Sequence, residues 1–169
     1  MRLFFALWPG DEVRAQVAAV AASIAARSQG RAVPAAKLHL TLSFLGEIAE
    51  DRVADALEAA HSVRGEPFEL TLDATGSFRA ARVAWAAPSK PPAALVALQA
   101  SLDRELRSRG FVLDERPFAA HATLARKIAT VLPRDSIAPI AWSAREFVLV
   151  GSETGRGSYA VLERWELRK

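Results

Sequence analysis

One arrangement of residues occurs twice along this chain, and it limits the fold more than any other feature. The apolar runs Arg2-Leu3-Phe4-Phe5-Ala6 and Arg82-Val83-Ala84-Trp85-Ala86 both read as buried strands. Proline ends each run, at Pro9-Gly10 and at Pro88. A helix-spaced stretch follows in both halves. In the first, alanine, valine and isoleucine recur from Asp11 to about Arg27, with Gly30 beyond as a stop signal. In the second, Pro91 opens a helix whose Leu95, Leu98, Leu102 and Leu106 make one apolar stripe, ended by Gly110. Each half then reaches His-x-Thr-Leu: His39 lies 37 residues after Arg2, and His121 lies 39 residues after Arg82. A Phe-x-Leu segment comes next in both, at Phe68 and at Phe147. The pattern predicts a duplicated β-α-β unit packed about a pseudo-twofold axis, with the two histidines facing each other across one cleft.

The remaining segments fill in around this frame. Lys37 to Leu45 reads as a strand closed by Gly46, and Glu50 to about Val63 as a second helix. Phe68 to Leu72 alternates apolar and polar residues, as a half-buried strand does, and Gly76 marks a turn or bulge. Phe111 to Leu113 reads as a short strand, and Leu132-Pro133 with Pro139 as a loop. Strands near Ile140 to Trp142, Phe147 to Val150 and Tyr159 to Leu167 finish the chain, with Gly151 to Gly157 as a mobile connection. At 169 residues this is one domain, residues 1–169, of two small lobes sharing a core.

Composition narrows the chemistry. The chain is 51% hydrophobic and 24% charged, the balance of a folded domain and not of a disordered one. It has no cysteine, which excludes disulfides, thiolate-zinc clusters and thiol nucleophiles, and suits a cytoplasmic location. The apolar start is too short for a signal peptide, and the Ala-rich stretch from Val17 to Ala26 is too short to span a membrane. A pI near 9.8, carried mostly by arginine, permits a nucleic-acid partner without requiring one.

In a strand, residues two apart share a face. His39 and Thr41 therefore share one with Ser43, while Leu38, Leu40, Leu42 and Phe44 turn to the core; His121 and Thr123 pair in the same way. A histidine with a pKa near 6.5 can take or give a proton at neutral pH, and a threonine hydroxyl can donate to a phosphate oxygen. Two such pairs about one phosphorus supply a base for water, an acid for the leaving oxygen and two donors for the non-bridging oxygens. Either motif alone would read as a core histidine bonded to its neighbouring strand; the matched pair is what points to chemistry. His61 has no threonine partner and reads as a helix-end residue. With no third histidine or acid cluster to complete a metal site, neither a metal nor a cofactor is expected. Arg126 would clamp a phosphate only if its strand bulges, since regular parity turns it away from His121. Phe4, Phe5, Phe44 and Phe118 are candidates for stacking on a base, and Gly155-Arg156-Gly157 for an RNA-facing loop.

Nearly the whole chain resembles the two-histidine phosphoesterases, and among them the RNA 2',3'-cyclic phosphodiesterases once called 2'-5' RNA ligases. The resemblance runs through Arg2 to Leu7, His39-Leu40-Thr41-Leu42-Ser43-Phe44-Leu45-Gly46, Gly76-Ser77-Phe78 and Arg82 to Trp85. It continues through Gly110-Phe111, Arg116-Pro117-Phe118-Ala119-Ala120-His121-Ala122-Thr123-Leu124-Ala125-Arg126, and Tyr159 to Leu162. Ala120 departs from it, since proline is expected before the second histidine. The resemblance implies an α+β fold of two lobes, antiparallel sheets about a cleft and helices outside. It implies hydrolysis of an RNA 2',3'-cyclic phosphate to a 2'-phosphomonoester, with His39 as proton donor to the departing 3' oxygen and His121 as acceptor from water. Thr41 and Thr123 complete the catalytic set, with Arg126, Ser43, Phe44 and Phe118 as candidate substrate contacts. The expected partner is an RNA end or a small nucleotide phosphodiester, bound by a monomer. Cleavage or joining of 2'-5' linked oligonucleotides, and a non-catalytic RNA-binding module, are the alternatives.

Overall fold

A computed structural model of the chain describes residues 1–153 and 155–169. The first half comprises strand β1 (Arg2–Leu7), helix α1 (Asp11–Ser28), strands β2 (Arg31–Ala32) and β3 (Leu40–Glu47), and helix α2 (Val53–Ser62). Strands β4 (Phe68–Phe78) and β5 (Val83–Ala87), helix α3 (Ala93–Ser108), and strands β6 (Ala122–Arg126), β7 (Asp135–Ala144), β8 (Glu146–Ser152) and β9 (Tyr159–Glu166) follow. Every strand pairing is antiparallel. The order is β7-β4-β5-β6-β3-β1-β8-β9, and β2 adds to β6 off that path.

Outward from its middle, this order reads alike in both directions. β3 and β6 carry the motifs, β1 and β5 flank them, and β8 and β4 come next, bearing the Phe-x-Leu segments at Phe147 and Phe68. The two four-strand halves form one sheet because β3 and β6 pair directly, at Leu40 and Ala122. The cleft is therefore a crease within a single sheet.

Helices cover one face. The leucine stripe of α3 is fully buried with Leu3, Phe5, Leu7, Leu40 and Leu124 in one continuous core. Each buried leucine contributes about 1.5–3 kcal/mol of burial free energy. α1, from the first half, packs on β6, and α3, from the second, packs on β3, so each motif strand is backed by the other half's helix. The opposite face holds a smaller cluster of Phe4, Ala6, Val148 and Val150, edged by Trp8, Tyr159 and Val161. No helix among the described residues is long and apolar enough to cross a membrane.

Local expectations shift in five places. The first motif strand begins at Leu40, not Lys37, because Pro34 caps a single 3-10 turn over Ala35–Lys37. Gly76 lies inside β4, not at a turn; a Cβ there would collide with the Trp85 indole of β5, so glycine permits the close packing. Phe111 to Leu113 forms no strand, although Phe111 and Leu113 are buried. Pro139 lies within β7, which is a sheet edge, where a residue without an N–H breaks no ladder. The β8–β9 connection is shorter than expected, since Gly151 and Ser152 belong to β8, and Thr154 lies outside the described residues.

Candidate active site

The single Leu40–Ala122 pair organises the site. An antiparallel pair has a local twofold axis between its two residues. His39 and His121 each precede a paired residue, and Thr41 and Thr123 each follow one, so the axis relates the two motifs. Leu40 and Ala122 are buried on the helix face, leaving His39, Thr41, His121 and Thr123 half-buried on the other.

Both rings are held by one device. His39 Nδ1 lies 2.7 Å from the Lys37 carbonyl, and His121 Nδ1 lies 2.7 Å from the Ala119 carbonyl. A carbonyl only accepts, so each Nδ1 carries the proton and each Nε2 is left as the reactive nitrogen. At the first motif Thr41 Oγ1 stands 3.0 Å from His39 Nε2, and its hydroxyl donates to the neutral ring.

The surroundings of the two rings differ. His39 lies between Phe4, stacked at 4.7 Å, and Trp8, stacked at 5.7 Å, with Tyr159 edge-on at 5.8 Å. This aromatic box pushes its pKa down from 6.5 to about 4, chiefly by removing water from the imidazolium. Its bond to the Lys37 carbonyl opposes that shift, and the charges of Arg126, His121 and Arg14 add to it. His121 meets Phe78 edge-on at 5.0 Å.

Matching irregularities follow each threonine. Thr41 pairs with Ala6 and Ser43 with Phe5, so Leu42 is the extra residue of a bulge. Thr123 pairs with Trp85 and Ala125 with Ala84, so Leu124 is its counterpart. A bulge shifts the alternation by one. Ser43, expected beside His39 as a substrate contact, therefore turns to the helix face, where it is buried and donates to Asp103 of α3 at 2.5 Å. Phe44, expected from strand alternation to face the core, turns into the cleft and is 49% exposed. The second bulge brings Arg126 to the cleft in the same way, which meets the condition its parity set. Phe118, a further candidate contact, is half-buried and packs against the main core.

The resulting cavity, about 490 Å³, is lined by His39, Thr41, Phe4, Phe44, Tyr159 and Arg126, together with Arg2, Lys37, Ser152, Glu153, Gly155 and Gly157. Trp8 and Tyr159 do not stand out from the sequence as site residues, although Tyr159 is the chain's single tyrosine. His61 accepts from the Trp165 indole N–H at 3.1 Å, at the end of α2, as expected. Among the described residues, no three His, Cys, Asp or Glu side chains cluster as metal ligands.

A family model described as "LigT like Phosphoesterase" matches residues 7–85. The Escherichia coli (strain K12) protein named RNA 2',3'-cyclic phosphodiesterase is 36% identical, over 98% of this chain and 96% of its own length. The chain belongs to the LigT-like phosphoesterases. A Thermus thermophilus protein of the same name is 32% identical over 99% of this chain and 91% of its own. The crystal structure of E. coli LigT complexed with 3'-AMP superimposes on this phosphoesterase with a TM-score of 0.89. It is 34% identical, and the match covers 99% of this chain and 98% of that one.

Proposed function

We propose that this LigT-like phosphoesterase hydrolyses RNA 2',3'-cyclic phosphate ends to 2'-phosphomonoesters without a metal, using His39 and His121 as acid and base. The observation that carries this reading is the pair of histidines with tethered Nδ1 atoms and available Nε2 atoms, on strands that pair at the centre of one crease. The names of the relatives support the substrate, and a relative crystallised with 3'-AMP supports a nucleotide in the cleft.

In the proposed reaction a water oxygen attacks phosphorus as the bond from phosphorus to the 3' oxygen breaks. His121 Nε2 takes the proton from water, and His39 Nε2–H gives one to the departing oxygen. Thr41 and Thr123 donate to the non-bridging oxygens, and the Arg126 guanidinium balances their charge. In the free protein His39 is neutral at neutral pH, its pKa being near 4. The bound phosphodiester, an anion, stabilises the imidazolium and so loads the donor in the complex.

Residues 1–169 are read as one domain of two related lobes, a reading supported by the strand order outward from β3 and β6. Both motifs lie on one chain, which supports a monomeric enzyme, and a chain without cysteine suits the cytoplasm.

The test is an RNA oligonucleotide ending in a 2',3'-cyclic phosphate, incubated with the protein in EDTA. Conversion to the 2'-phosphate is expected. No turnover, or turnover only after adding metal, would overturn the reading.

A further inference from the structure

β2 is two residues long, and its pairing is unusual: Arg31 stands directly opposite Arg126, and Ala32 opposite Ala125. Directly opposed residues of an antiparallel pair point to the same side, and like charges so placed repel. Arg126 lines the cleft, so Arg31 stands at its rim, and both side chains are exposed. Among the described residues neither guanidinium has a carboxylate partner or a hydrogen bond.

The backbone nevertheless holds β2 firmly in this position. Gly30 lets the strand approach β6, since a Cβ there would lie 2.7 Å from Ile128 and 3.0 Å from the Arg126 carbonyl. The Ser28 carbonyl accepts from the N–H of Ala129 and of Thr130, at 2.8 and 3.1 Å, and Val33 N–H donates to Leu124 at 2.8 Å. The Thr130 hydroxyl donates to the Gln29 side chain across the same junction. The backbone thus sets two arginines at directly opposed positions, where their charges oppose it. Anions held against them offset that repulsion, and the planar fork of arginine suits phosphate.

We propose that Arg31, beside the Arg126 that faces the reacting phosphate, forms a second phosphate subsite, which holds the internucleotide phosphate next to the reacting end of an RNA chain. The inference rests on the cyclic phosphodiesterase reading and adds a preference to it. An RNA end binds better than an isolated nucleoside 2',3'-cyclic phosphate, because only the former carries the second phosphate.

The test compares adenosine 2',3'-cyclic phosphate with the dinucleotide ApA ending in a 2',3'-cyclic phosphate, in the wild type and in Arg31→Ala and Arg31→Lys. Arg31→Ala is expected to raise KM for the dinucleotide about tenfold or more, the scale of a lost charge-assisted contact, with kcat unchanged. Its constants for the mononucleoside should stay within about twofold, and Arg31→Lys should recover part of the loss. The slope of log KM against log salt for the dinucleotide should flatten by about 0.7, one single-strand phosphate contact. Arg31→Ala should also melt no lower than the wild type at low salt, because it removes a repulsion. Equal losses on both substrates would put Arg31 on the reacting phosphate, and no loss on either would remove it from the site; both outcomes overturn the proposal. If the wild type turns over neither substrate, the parent reading fails. Calorimetric binding of ApA 2'-phosphate against adenosine 2'-monophosphate then decides on Arg31, and an affinity difference that Arg31→Ala leaves intact overturns the subsite.

Discussion

The strands carrying His39 and His121 share a backbone and differ in what surrounds it. Both tie Nδ1 to the carbonyl two residues back, both pair at the centre of the sheet, and both bulge one residue after threonine. Around that common frame the first histidine is enclosed by Phe4, Trp8 and Tyr159, while Phe78 meets the second edge-on. The first bulge delivers Phe44 to the cleft and the second Arg126. The residue behind the first is Ser43, pinned to Asp103, and behind the second Ala125, which has no side-chain hydroxyl to pin. A shared backbone therefore sets two histidines in register, and the side chains give only the first an aromatic box, with Arg2, Lys37 and Arg126 all lining the same cavity.

The sharpest way to break the comparison is to remove either histidine. His39→Ala and His121→Ala are each expected to lower kcat by about a thousandfold or more, with circular dichroism and melting temperature retained. Full activity in one variant would show that the halves do not divide acid and base between them. The threonines come next: Thr41→Ala and Thr123→Ala should each lose about 10- to 1,000-fold in kcat, the scale for one transition-state donor.

The difference in surroundings can be read by nuclear magnetic resonance of the imidazole nitrogens. His39 should titrate near 4 in the free protein, and its midpoint should rise when adenosine 2'-monophosphate is bound. Trp8→Leu should also raise it, since burial is the main cause of the shift. The sign for stability follows. As pH falls through 6.5 the unfolded chain protonates His39, whereas the folded chain resists until about 4. Acid therefore destabilises the fold across that window, and His39→Gln should remove that part of the acid sensitivity in urea titrations. The smallest effect concerns the bulges: Ser43→Ala leaves Asp103 without its partner and should cost about 1–2 kcal/mol by denaturant unfolding.

Much of this protein could be read from residue order. The leucine stripe of α3 announced its buried face, because a 3.6-residue period and a single apolar side leave a helix few alternatives. The repeated strand, proline, helix and His-x-Thr-Leu announced two matching units, and the paired histidines pointed to the chemistry proposed above. Alternation along a strand then predicted which neighbours would join them. That rule failed at Ser43 and Phe44, and it gave Arg126 only a conditional place. The bulges at Leu42 and Leu124 arise in the register with β1 and β5, a property of two strands that neither sequence displays alone. The same limit hid the box around His39, assembled from β1, the turn after it and β9, which are far apart in the chain. It also hid the opposition of Arg31 to Arg126, which exists only because Gly30 lets β2 dock on β6. Local periodicity is written residue by residue and so survives in one dimension; register and enclosure depend on contacts between distant segments, and they appear only when the chain has folded.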